Sequence, residues 1–444
     1  MMEDDRKRNF LRTALLEEVL AKNADLKNSK VVKCTLTAPE SLDGFMATIY
    51  SLDVIARASD AESLHKLKLL VKVMKGDESF RRHSLGLILF PNEINVYGNI
   101  IPAFRELILN SKAAIDTDTW CPRVFFAEQG NFASYSDQFE TILVMQNVQE
   151  LGYSSGPRLD LDEAHLTLMA RNIAQFHACS YAMRILNADR LKQLVDTIIP
   201  LNFIKDGEVC FKSYDIVFKY TQARLYDYLD SNPNVFTNDE ARADIARLRS
   251  KYRGEPSKLM QRCIQQNDVY SVILHGDFNR NNVLFKYDGL TPVDVVMIDF
   301  QENRFGSPAV DLSFFMYMNI NDESREKLWD KILRVYYDEL FTCIVEITGL
   351  PADDDRLKQY SYEKIMQHLS NYFVYGAMIA VKFLPTMMAT PEELAQIVHY
   401  FHNDLYSDQF GKILMQAGGE SASRRITNVM MHCSRKGYLK FLTE

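Results

Sequence analysis

Hydrophobic positions change their period about a third of the way along the chain. Phe10, Leu11, Ala14, Leu15 and Val19 recur at helical spacing and predict an N-terminal amphipathic helix. Short β-rich runs follow at 31–37, 47–57, 66–74, 123–128 and 138–145, separated by polar connections. From residue 161 onward the pattern is helical, with long helices expected at 161–183, 324–349, 360–389 and 392–415. Charged residues 238–258 predict a solvated helix and loop, and the polar stretch after Gly418 predicts a loosely attached tail, with docking of Tyr438–Leu442 as the alternative. The apolar stretch 372–389 contains Lys382 and Pro385, so it predicts a core helix and not a membrane span. This order predicts an α+β chain: a β-rich N-terminal lobe over 1–147 and a helical C-terminal lobe over 148–444.

One β-rich island interrupts the helical half. Val272-Ile273-Leu274 is a short buried strand, followed by His275-Gly276-Asp277 and, five residues after the aspartate, Asn282. Runs at 283–287 and 293–298 then form a hairpin around Asp288-Gly289 and Pro292, and Asp299 stands where its second strand ends. Two carboxylates and an amide in this order suit phosphoryl transfer. Asn282 and Asp299 offer hard oxygen ligands for Mg²⁺, and Asp277 is left to take a proton from the attacking hydroxyl. Taken singly, an aspartate on a loop is more often a turn former or helix cap.

In the run 66–74, Leu67, Leu69, Val71 and Val73 share one face of the strand while Leu70, Lys72 and Met74 share the other. A lysine among apolar neighbours is costly to bury unless it is paired. The alternative is that its stem snorkels to solvent. His177 and Cys179 fall on the apolar face of the helix 161–183, where a satisfied core histidine and a small thiol are the simpler reading.

These motifs carry a resemblance. HGD with Asn282 five residues on, Asp299-Phe300-Gln301, Arg304-Phe305-Gly306-Ser307-Pro308 and Asp311-Leu312 resemble the ecdysteroid kinase-like (CHK kinase-like) family. That family stands within the aminoglycoside phosphotransferase and choline kinase group of protein-kinase-like folds. The resemblance implies a bilobal α+β fold with an antiparallel sheet in the smaller lobe, and ATP and Mg²⁺ as cofactors. It implies that Lys72 reaches the nucleotide phosphates and is held by Glu93, which lies in a matching F-x2-E-x3-Y run. Gly44, in the connection between two strands, would face phosphate, and Gln146 and Val148 would lie where adenine is read. Gln146-Asn147 replaces a commonly acidic pair, and the single glycine at 44 departs from the family's loop, so that an ordinary hairpin turn is an equal reading there. The family's Asp311 position implies structural support for the HGD loop.

Composition narrows the function further. A net charge of -8 gives no reason to expect a nucleic-acid surface. Seven cysteines without CxxC spacing and a charged N-terminus suggest a reduced, cytoplasmic chain with neither disulfide framework nor structural zinc. Only eleven residues separate Asp299 from Asp311, which leaves little room for the activation segment of a protein kinase. The reading is therefore a small-molecule kinase whose partner is a hydroxyl acceptor. The helical lobe is rich in Phe, Tyr and Met, and with the resemblance this favours an apolar acceptor such as a steroid or xenobiotic alcohol. A catalytically silent binder that keeps the fold is the alternative. The sequence sets no expectation for oligomeric state.

Overall fold

A computed structural model describes residues 2–37, 47–58, 64–205, 208–209, 212–265 and 268–440. The chain forms two compact units, each discontinuous in sequence. The first comprises Met1–Ser154, Lys192–Ile199 and Leu284–Asn303, and the second comprises Ser155–Leu191, Pro200–Val283 and Arg304–Glu444.

The first unit is built on a five-stranded antiparallel sheet, the element expected of the smaller lobe. Its strands are β1 (Lys30–Thr37), β2 (Ala47–Arg57), β3 (Leu64–Met74), β4 (Val124–Asn131) and β5 (Phe139–Gln146), in the order β1-β2-β3-β5-β4. Strand alternation sends Leu69, Val71 and Val73 into a core shared with Leu52, Val54 and Val144. The N-terminal segment covers that core with Leu11, Leu15 and Val19. It does so as two helices, Met2–Arg12 and Ala14–Lys22, broken at Thr13 (φ -123, ψ -89), where the periodicity predicts one. On the opposite face of β3 stands Lys72, paired in register with Ile49 on one side and Leu143 on the other.

A helix at Gly86–Asn95 continues through a π-helical turn, Val96–Ile100, into Ile101–Leu109. The wider turn is of the kind that recurs at functional sites. Asn92, on this helix, clamps the returning segment Lys192–Ile199. Its Nδ2 donates to the carbonyl of Ile199 (3.0 Å) and its Oδ1 accepts from the same residue's N–H (2.9 Å). The hairpin Val283–Asp288/Thr291–Met297 is tied to the first unit through a third strand, Tyr153–Ser154, and a hydrogen bond from the Met297 N–H to the Trp120 carbonyl (2.7 Å).

The second unit is mainly helical. Helix Glu163–Leu186 packs along Asp322–Thr348, and the fully buried Ala309–Asn319 packs against Val374–Met387. That last contact is close because of Gly376, where a Cβ would meet the Ser313 carbonyl carbon at 2.1 Å. The spans 360–389 and 392–415, expected as single helices, are each split, into Tyr362–Ser370 and Val374–Met387, and into Pro391–Asn403 and Asp408–Gln416. The expected loose tail is corrected outright. Gly419–Arg435 is a helix that buries Ala422, Ile426, Val429, Met430 and Cys433 against helices Lys212–Ser231, Asp239–Lys251 and Val374–Met387. The region 238–258 is likewise not wholly solvated, because Asp244 is buried and accepts from Ser434 Oγ (2.8 Å). Among the described residues no helix is long and apolar enough to cross a membrane.

Candidate active site

Phe90, Glu93 and Tyr97 stand three and four residues apart along the helix Gly86–Asn95 and the π-helical turn that continues it. Glu93 Oε2 lies 2.7 Å from Lys72 Nζ. The Phe90 ring centroid lies 5.4 Å from the same ammonium. Tyr97 meets the buried Phe300 edge-on at 5.4 Å, fixing the turn that begins right after Asp299. Asp299 itself sits at φ 64, ψ 62, a left-handed backbone that aspartate tolerates better than most residues. Its Oδ1 is also 2.7 Å from Lys72 Nζ, so the lysine bridges two carboxylates.

Charge in this trio is unbalanced: one cation faces two anions, with side chains 11% (Lys72), 2% (Glu93) and 29% (Asp299) exposed. Burial works against the Lys72 ammonium, yet the charges of Asp299 and Glu93 outweigh it and hold the lysine above its ordinary range. Burial, with Asp299 adding to it, pushes Glu93 up to about 7 against the pull of Lys72. Its second oxygen, Oε1, has no hydrogen-bond partner.

In the second unit, strand Val272–Leu274 pairs with Arg304–Gly306 and delivers the HGD loop. Asp311 accepts from the backbone N–H groups of His275 (2.8 Å) and Gly276 (2.8 Å). Its position is held in turn by His177 Nε2 (3.1 Å), whose Nδ1 meets the Tyr336 hydroxyl (3.0 Å). His177 and Asp311 thus hold up the loop, as the amphipathic pattern and the motif position suggest. Asp277 is oriented by two amides: Asn279 Nδ2 donates to its Oδ1 (2.9 Å) and Asn282 Nδ2 to its Oδ2 (2.7 Å).

The structure therefore brings Lys72, Glu93 and Asp299 together in the first unit, and Asp277 and Asn282 together in the second. Gln146 ends β5 with its N–H on the Arg123 carbonyl (2.8 Å). Val148 is buried in a short turn with Tyr153 and Val296, and Asn147 Oδ1 caps that turn by accepting from the Gln149 N–H (3.1 Å). Gly44 lies outside the described residues. Asn279 is absent from the residues that the sequence pattern singles out. Its spacing two residues after an aspartate, the Asx-turn interval, is the available signal. Among the described residues no three His, Cys, Asp or Glu side chains converge as a metal cluster.

A strand lysine paired to a helix glutamate, in an α+β chain with an HGD-x4-N loop, defines a small-molecule kinase-like phosphotransferase. The chain belongs to the ecdysteroid kinase-like family, which matches residues 41–348. Among solved structures, the chain is similar to an ethanolamine kinase of Plasmodium vivax at 13% identity and TM-score 0.35, over 87% of this chain and 82% of that one. It is similar to the GDP complex of aminoglycoside 2'-phosphotransferase-IIIa at 11% identity and TM-score 0.35, over 93% and 98%. A macrolide 2'-phosphotransferase from Brachybacterium faecium gives 12% identity and TM-score 0.33, over 83% and 92%. No curated protein matches the chain in sequence.

Proposed function

We propose that the chain is an ATP- and Mg²⁺-dependent phosphotransferase that phosphorylates a hydroxyl of a small apolar molecule, such as an ecdysteroid-like steroid or a xenobiotic alcohol. The nucleotide side lies mainly within residues 1–147, with Val148 and the hairpin residue Asp299 added to it, and the rest of 148–444 carries the HGD loop and the acceptor side. The observation that carries the reading is Lys72, a largely buried lysine 2.7 Å from both Glu93 and Asp299. A lysine so held has a natural exchange partner in a nucleotide phosphate. As phosphate oxygens approach, Lys72 keeps Glu93 as its anchor and gives up Asp299, freeing that carboxylate.

The excess negative charge of the trio and the partly exposed Asp299 fit a divalent cation. Asn282 fits as well, because its Nδ2 is spent on Asp277 and its Oδ1 is the end suited to a hard ion. Mg²⁺ held by Asn282 and Asp299 would neutralise charge on the phosphate oxygens. Asp277, its carboxylate aimed by Asn279 and Asn282, accepts the proton of the acceptor hydroxyl. Gln146 and Val148 contribute to the adenine side.

Two measurements test this. Titration with ATP in a thermal-shift experiment should stabilise the protein, more strongly with Mg²⁺ than without; no stabilisation at millimolar nucleotide sinks the nucleotide reading. A competition among a hydroxylated steroid, choline and an aminoglycoside, read by the mass of phosphorylated product, should favour the steroid. Choline turning over fastest would overturn the acceptor class.

A further inference from the structure

Arg280 lies three residues after Asp277 on the same loop, and the roles proposed above leave it without one. Its guanidinium is half-buried, its Nη1 donates to the Pro157 carbonyl (3.3 Å), and its buried Nε has no hydrogen-bond partner. Asn319 stitches the loop to the segment that follows Pro157. The Asn319 Oδ1 accepts from the Arg280 N–H (3.3 Å), its Nδ2 donates to the Leu159 carbonyl (3.4 Å), and its own carbonyl accepts from the Leu161 N–H (2.9 Å). Arg158, exposed and next in the chain to Pro157, donates its Nη2 to the Ala389 carbonyl (3.5 Å) and is near enough for its charge to act on Arg280. The carboxylate nearest in sequence, Asp160, is taken by Arg425 at 2.6 Å. Among the described residues neither Arg158 nor Arg280 has a carboxylate partner, and burial together with the Arg158 charge disfavours the Arg280 cation.

Two arginines held together without an anion, one of them half-desolvated with an unused N–H, form a receptor for a planar or tetrahedral oxyanion. The geometry points to an oxyanion subsite, made of Arg158 and Arg280, beside the loop that carries Asp277. Its ligand is a phosphate- or sulfate-class group. Such a group arrives either on the donor nucleotide or as an anionic conjugate already on the acceptor. Only the link to turnover rests on the phosphotransferase reading, because anion binding can be measured without any reaction.

The test uses the full chain and three variants: R280Q, R158Q and R280K. Isothermal titration with sodium sulfate and with inorganic phosphate, at constant ionic strength against chloride, reads the site directly. Wild type should bind, and R280Q should bind roughly tenfold more weakly or worse. R158Q, altered at an exposed position, should weaken binding while leaving the thermal midpoint unchanged. R280K, which keeps charge but loses the fork, should fall between wild type and R280Q. A parallel ATP titration separates the sources: a matching loss of ATP affinity assigns the donor phosphate, and unchanged ATP affinity assigns an anion on the acceptor. Equal sulfate affinity in wild type and R280Q, or no sulfate binding above chloride in wild type, overturns the subsite. Either result leaves the phosphotransferase reading standing on its own assays.

Discussion

Replacing Glu93 by glutamine should make the protein more stable and less active. The substitution keeps the shape and removes one of the two carboxylates on Lys72, leaving that lysine in a one-to-one pair with Asp299. In the wild type the Glu93 carboxyl is pushed from its usual 4.5 up to about 7 by burial and by Asp299. A raised carboxyl pKa means that the folded state holds the proton more tightly than the unfolded state. Between about pH 4.5 and 7 the unfolded chain has lost its proton while the folded chain keeps it, so stability falls as pH rises. A tenfold difference in proton affinity between the two states is worth about 1.4 kcal/mol, so the full window is worth up to about 3 kcal/mol. Glutamine does not titrate. Glu93→Gln should therefore come within about 1 kcal/mol of wild type near pH 5 and exceed it by up to about 3 kcal/mol near pH 8. Urea titrations of Trp fluorescence at pH 5 to 8 read this, in a Trp329→Phe background so that the buried Trp120 reports the first unit alone. At the same time the KM for ATP should rise, since Lys72 has lost its buried anchor. A wild-type-to-variant difference that is the same at pH 5 and pH 8 would refute the reasoning.

Asp277→Asn should depress turnover by roughly 10² to 10⁴-fold with nucleotide affinity nearly intact; a wild-type rate of product formation removes Asp277 as the base. Gly376→Ala places a methyl 2.1 Å from the Ser313 carbonyl carbon and should destabilise the second unit by about 3 kcal/mol or more. Urea unfolding followed through buried Trp329 measures it, and a loss below about 1 kcal/mol would show that the two helices part easily.

Much of the framework is legible in the sequence, because it rests on local patterns. The strand period around Lys72 puts the lysine opposite the core-facing leucines and valines, and the HGD loop and hairpin lie where the turn residues set them. What escapes depends on long-range contacts. Nothing near Asp299 in sequence announces its ion pair with Lys72, which closes across 227 positions. The segment Lys192–Ile199 joins the first unit through Asn92, Asn95 and Asn99 on a distant helix and its π-helical turn, a polar contact that the hydrophobic pattern does not encode. The C-terminal helix is missed for a different reason. Its average is polar, but Ala422, Ile426, Val429 or Met430, and Cys433 already trace a helical stripe that averaging hides. The helix breaks at 371–373 and 404–407 contain no proline or glycine, so no breaker residue marks them.

The discontinuity of the first unit constrains how the chain is made. A ribosome releases Lys72 and Glu93 some two hundred residues before Asp299, and the sheet must fold around a trio that lacks its third member. Until the hairpin emerges, Lys72 and Glu93 form a neutral pair, and the surplus negative charge arrives only when the hairpin does. No single cut separates the two units, so neither can be excised, fused or exchanged with a relative's as one continuous stretch. Recombination between family members is confined to exchanges that carry residues 192–199 and 284–303 along with the N-terminal sheet.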